Sequence, residues 1–167
     1  TFLPALIERR FKVYLPTELE AVIVLFIYAT LFLGGVHGYY EKFWWWDILL
    51  HGSSSITLGM VGFLIIYTLY YEKRLHGSAL LVAIFSFTFA VAIGSLWEIV
   101  EFSFDHALGT HMQSTGLMDT MSDLIVDSLG AFLTSVAGYF YIRSGRAPLF
   151  VQFLHRFIRE NPKIFRR

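Results

Sequence analysis

The sequence predicts an all-α, polytopic membrane helix bundle of about four transmembrane helices with amphipathic interfacial flanks, and three observations carry that prediction. Of 167 residues, 56% are hydrophobic and only 16% charged, against about a quarter charged in a water-soluble domain. Stretches apolar enough to cross a bilayer core about 30 Å thick, which takes roughly 20 helical residues, recur along the chain. Aromatic residues, 18% of the total, gather at the ends of those stretches, where amphipathic rings favour the headgroup level. The whole of 1–167 is therefore expected to be one integral membrane domain. The 13 basic side chains balance 13 acidic ones, which excludes a strongly basic nucleic-acid binder. The chain has no cysteine, so disulfides and thiolate metal sites are excluded.

The elements follow in order. Residues 2–15, of mixed apolar and basic character, are expected to form a first, less regular interfacial helix. The first span is expected at 20–40; the charged segment before it, with no small-residue cleavage site, argues against a removable signal peptide. Tyr39, Tyr40, Trp44, Trp45 and Trp46 form an aromatic belt leading into the second span, 44–71, and Tyr67, Tyr70 and Tyr71 mark its opposite end. The third and fourth spans are expected at 77–108 and 118–142. A closing interfacial helix, 148–165, places Phe150, Phe153, Leu154, Phe157 and Ile158 on one stripe with Arg156, Arg159 and Lys163 off it, as in a helix lying on anionic headgroups.

Basic residues orient the bundle, because Lys and Arg near the spans are retained on the cytoplasmic side. Arg9, Arg10, Lys12, Lys73, Arg74, Arg143, Arg146, Arg156, Arg159, Lys163, Arg166 and Arg167 fall on one side and Lys42 alone on the other. Both termini are thus expected in the cytoplasm. On the Lys42 side lie Glu41, Asp47, Glu98, Glu101, Asp105, Asp119, Asp123 and Asp127, with His37, His51, His106 and His111.

Within each span the acids share a face. Asp47 and His51 are four apart, Glu98 and Glu101 three apart, and Asp119, Asp123 and Asp127 form a stripe of about 12 Å along the fourth helix. An ionised carboxylate at membrane depth costs several kcal/mol unless paired, metal-bound or wetted. Basic partners are absent here, so either some acids are protonated or a cation holds them together. The cation is the preferred expectation: oxygen ligands with an imidazole suit a divalent ion, Mg, Mn, Zn, Ca or Fe, without deciding among them. Neither a ferritin-like Glu-x2-His repeat nor a His-Glu-x2-His helix is present.

Each residue also has a plainer reading. Asp119 follows Gly116 and could cap the fourth helix, a reading as strong as ligation, whereas Asp127 lies beyond the first turn. Asp47 could orient His51 rather than bind the ion itself. Asp105, His106, His111 and Gln113 read as solvated loop or helix-end groups, and Glu41 and His37 as interfacial. Gly52, Ser53, Ser54, Ser55, Gly59, Gly62, Gly94, Ser95, Ser128, Gly130, Ala131, Ser135 and Gly138 are the small residues that let membrane helices pack closely. A serine nucleophile near His51 lacks any Gly-x-Ser-x-Gly context.

On WWDILLHGSSS ending at Ser55, WEIVEF from Trp97 and MDTMSDLIVDSLGA from Met118, the chain resembles the YjdF-like family of uncharacterised prokaryotic inner-membrane proteins over about residues 15–143. The resemblance implies that Asp47, His51, Glu98, Glu101, Asp119 and Asp123 are the family's polar positions; Leu50 stands where the family has Gly. A more distant resemblance is to VanZ-like membrane proteins linked to glycopeptide resistance. Neither brings an established reaction.

The sequence therefore reads as a multi-pass inner-membrane protein with a site open to the non-cytoplasmic side, metal ligands Asp47, His51, Glu98, Glu101, Asp119, Asp123 and Asp127, and a bound divalent cation. As an enzyme it would carry out metal-assisted hydrolysis or group transfer on a lipid or envelope substrate, with Glu98 or Glu101 as general base. The alternatives are a non-catalytic accessory subunit of a larger membrane complex and an ion- or proton-coupled transporter; against transport, no inverted repeat is visible.

Overall fold

The computed structural model describes residues 10, 14, 17–71, 77–144 and 148–162. Most of the first flank lies outside them, as do Arg9, Lys12, Lys73, Arg74, Arg146, Lys163, Arg166, Arg167 and the side chains of Tyr70, Tyr71, Phe150 and Phe153. The described residues are helical and include no strand. Helix α1 (Thr17–Ile27) continues into a π-helical segment (Tyr28–Val36), then come a single turn α2 (Tyr39–Lys42), α3 (Trp46–Tyr71), α4 (Ala79–Leu108), α5 (Leu117–Ser144) and α6 (Pro148–Glu160). Four of these stretches are long and apolar enough to cross a membrane: Thr17–Val36, Trp46–Leu69, Ala79–Leu108 and Leu117–Ser144.

The first crossing stops short of the sequence expectation. The wider π turn begins where the Thr30 hydroxyl donates to the carbonyls of Phe26 and Ile27, and hydroxyl back-bonding of this kind perturbs the regular ladder. Gly38 then takes φ 68°, a left-handed conformation that an L side chain resists, and the chain restarts as α2. Tyr39 and Tyr40 therefore sit on a turn of their own rather than at the end of the first span. That span packs lightly, leaving Val22, Leu25, Leu31 and Val36 exposed for lipid.

Helices α3, α4 and α5 pack against one another pairwise and make the body of the molecule. They approach closely because their contact faces are small. A Cβ on Gly130 would strike the Ser55 hydroxyl and lie 3.1 Å from the Gly52 carbonyl; one on Gly59 would lie 2.9 Å from Thr134 Cβ. Where the backbones meet, hydroxyls bridge them: Ser86 donates to the Gly59 carbonyl at 2.6 Å and Thr134 to that of Ile56 at 3.3 Å. In lipid such contacts replace the hydrophobic drive that acts in water.

At the end away from the acids, Phe63, Leu64, Ile66 and Val82 form an apolar cluster with Leu154 and Phe157 of α6. The amphipathic stripe expected to rest on headgroups is thus spent, at Leu154 and Phe157, on the bundle itself. Buried Asn161 secures the arrangement: its Oδ1 accepts from the Tyr14 N–H and its Nδ2 donates to the Tyr14 carbonyl, both at 2.7 Å. Arg156 pairs with Glu18 beside it.

Candidate functional site

The opposite end gathers the acids. His51 lies in the second turn of α3 and is surrounded by carboxylates from all three packed helices. Its Nε2 has Asp47 Oδ1 and Glu98 Oε1 at 3.9 Å and Asp123 Oδ2 at 4.0 Å; its Nδ1 lies 3.4 Å from Asp127. One ligand atom each from Asp47, His51 and Asp123 fits within 4.8 Å of the others, close enough for all to reach one ion. Helical spacing brings them there: Asp47 stands one turn above His51, and Asp127 one turn below Asp123.

Burial makes the grouping demanding. Glu98 is 4% exposed, and Asp123 and Asp127 are each 2% exposed. Both oxygens of Glu98, Oδ2 of Asp123 and Oδ1 of Asp127 are buried without a hydrogen bond among the described residues. No Lys or Arg pairs with any of them among the described residues. Close packing of α4 on α5 admits the deepest acid, since any Cβ on Gly94 would collide with the Asp127 carboxylate.

The remaining expected residues stand apart from the histidine. Glu101 is half-buried and accepts from Trp97 Nε1 at 2.9 Å. Asp119 accepts from the Ser114 N–H and hydroxyl, each at 2.9 Å, so both its oxygens hold the loop before α5. Asp119 stands inside the first turn of α5 rather than at its N-cap, and its bonds run back to the preceding loop. Asp105 does the same at the end of α4, accepting from Thr110, Met112 and Gln113 after Gly109 turns the chain at φ 67°. Glu41 is exposed on α2.

Three residues that the sequence reads as solvated loop or aromatic belt, Gln113, Tyr40 and Trp46, stand at the site instead. Gln113 Nε2 donates to the Thr120 hydroxyl at 2.6 Å, tying the 109–116 loop to α5 above Asp123. Tyr40, 42% exposed overall, faces Asp47 and Glu101; partial desolvation pushes its phenol up to about 12, and the two carboxylates add to that. Its ring fills the space beside Gly34, where a Cβ would clash with it. Buried Trp46 has an Nε1 without a hydrogen-bond partner. The only signals available were Gly34 and Gly38, which permit the turn but do not say where it points.

Comparisons with known proteins agree with this architecture at the level of class. A family described as predicted membrane protein (DUF2238) matches residues 1–144. An uncharacterized protein of Thermotoga maritima is 36% identical over 114 residues, covering 65% of this chain and 57% of that relative. The chain thus spans little more than half the length of the relative it matches. No solved structure matches.

Proposed function

This chain belongs to the DUF2238 family of predicted membrane proteins, and from that footing we propose that it is a divalent-cation-binding protein of the bilayer, with His51 and the acids around it as the site. The observation that carries the reading is the set of buried carboxylate oxygens of Glu98 and Asp123 that face the His51 Nε2 with no hydrogen bond and, among the described residues, no Lys or Arg partner. An acidic cluster alone would not suffice, but unpartnered charge at this burial is unfavourable by several kcal/mol, and a bound cation removes the deficit. Asp47, His51, Glu98 and Asp123 are the ligands in this reading. One imidazole among carboxylates favours Mn, Fe or Zn over Mg and Ca, which take oxygen almost exclusively.

When bound, such an ion would supply Lewis acidity and hold an oxygen-bearing substrate in place. Glu98 is then occupied as a ligand, leaving half-buried Glu101 as the general base in a hydrolysis or group transfer, with Tyr40 as a neutral donor beside it. The basic-residue asymmetry supports termini in the cytoplasm and a site facing the other side of the inner membrane, where a lipid or envelope molecule is the substrate class within reach. The YjdF-like resemblance of the three motifs supports the same placement.

Elemental analysis of the purified protein tests the reading. Wild type should retain about one divalent ion per chain, and Asp123→Asn or Glu98→Gln should lose it while remaining folded by circular dichroism. Wild type that retains none, and takes up none on dialysis against Mn2+, leaves protonated acids as the account of the cluster.

A further inference from the structure

We propose that Asp127 is a positioning residue that fixes the histidine of the site, not one of the groups that hold the ion, and that Gly94 provides the slot in which it does so; the inference rests on the divalent-cation reading above. A neutral imidazole has one nitrogen bearing a proton and one free to bind a metal, and whatever accepts that proton decides which is which. In this protein geometry separates the two. Nε2 faces Asp47, Glu98 and Asp123 at 3.9–4.0 Å. Among the described residues Nδ1 faces Asp127 alone, with both carboxylate oxygens at 3.4 Å.

Asp127 is the acceptor for the Nδ1 proton, which leaves the Nε2 lone pair directed at the three other acids. This is the carboxylate–histidine–metal order, in which the outer carboxylate sets the tautomer and ring orientation and raises the basicity of the ligand nitrogen. The site is constructed for it from three helices. Asp127 comes from α5, one turn deeper than Asp123; His51 comes from α3; and α4 contributes a residue without a side chain. A Cβ on Gly94 would run into Asp127 Oδ2 and lie 3.1 Å from its Cγ, so any larger residue displaces the carboxylate. At 2% exposure the carboxylate has no water to turn to, and its free oxygen, Oδ1, has no hydrogen-bond partner.

The test uses the detergent-solubilised chain with Mn2+ to measure affinity and Co2+ as a spectroscopic probe of the ligand set. Asp127→Ala should weaken Mn2+ roughly 10–100-fold, the usual effect of removing an outer partner of a ligand histidine. Asp127→Asn keeps an oxygen able to accept the Nδ1 proton and should recover most of that loss. Gly94→Ala should behave like Asp127→Ala. At saturating Co2+ all three should show the wild-type absorption spectrum, because the ligand set is unchanged. An altered Co2+ spectrum in Asp127→Asn makes the residue a ligand and overturns the inference, as does wild-type affinity in Asp127→Ala. If Asp127→Ala fails to fold, Gly94→Ala and the Asp127→Asn spectrum decide alone. Failure of wild type to bind either ion overturns the cation reading itself, a separate result.

Discussion

Tyr40 shows how a single side chain can be chemically committed by its neighbours. Burial, then Asp47 and Glu101, hold its phenol up to about 12 against an ordinary value of 10.0, so it stays a neutral donor throughout the physiological range. The folded chain keeps this proton more tightly than the unfolded one. Its contribution to stability is therefore intact below pH 10 and lost as pH rises towards 12. Alkaline unfolding of wild type and Tyr40→Phe should diverge only in that window, with the variant losing less; identical curves would mean that the ring lies clear of the acids. At this scale the sequence was informative where spacing alone settled the matter. Asp47 and His51 share a face because they are four apart, and Asp123 and Asp127 for the same reason. It could not separate roles among like groups: Asp119 holds Ser114 while Asp123 lies buried beside His51, although both belong to one stripe. What distinguishes them is depth below a loop whose course depends on Gly109 and Gly116.

For α6 the helical period revealed an apolar stripe, and the stripe exists. What it could not reveal is the material against which it lies, since lipid tails and a neighbouring helix are about equally apolar. Leu154 and Phe157 pack on Phe63 and Val82, and Asn161 holds the Tyr14 backbone by two bonds. Asn161→Ala removes both bonds to the Tyr14 backbone and should cost about 1 kcal/mol. Limited proteolysis of solubilised protein should then release the segment after Ser144 well before the bundle is cut; equal resistance in both proteins would remove Asn161 from the account. The small residues of α3 and α5 were legible for the opposite reason, because close helix approach in a membrane has few other solutions.

Considered together, the described residues make a three-helix body with one lightly attached span and an end closed by α6. Among the described residues four helices are long and apolar enough to cross a membrane, and hydropathy alone was enough to locate them. Sidedness is a matter of charge. With no cysteine in the native chain, single cysteines can report it cleanly: Lys42→Cys should react with an impermeant maleimide added outside intact cells, and Arg159→Cys only after the membrane is opened. The reverse pattern would place the acids towards the cytoplasm and redirect the search for a substrate. Tyr14 and Asn161, 147 positions apart, are partners. During synthesis that contact has to wait until every helix between the two has left the ribosome, so those helices enter the bilayer with one end still open. A ribosome stalled before position 161 would expose a nascent protein lacking this lock, and quality-control proteases would meet it in that state.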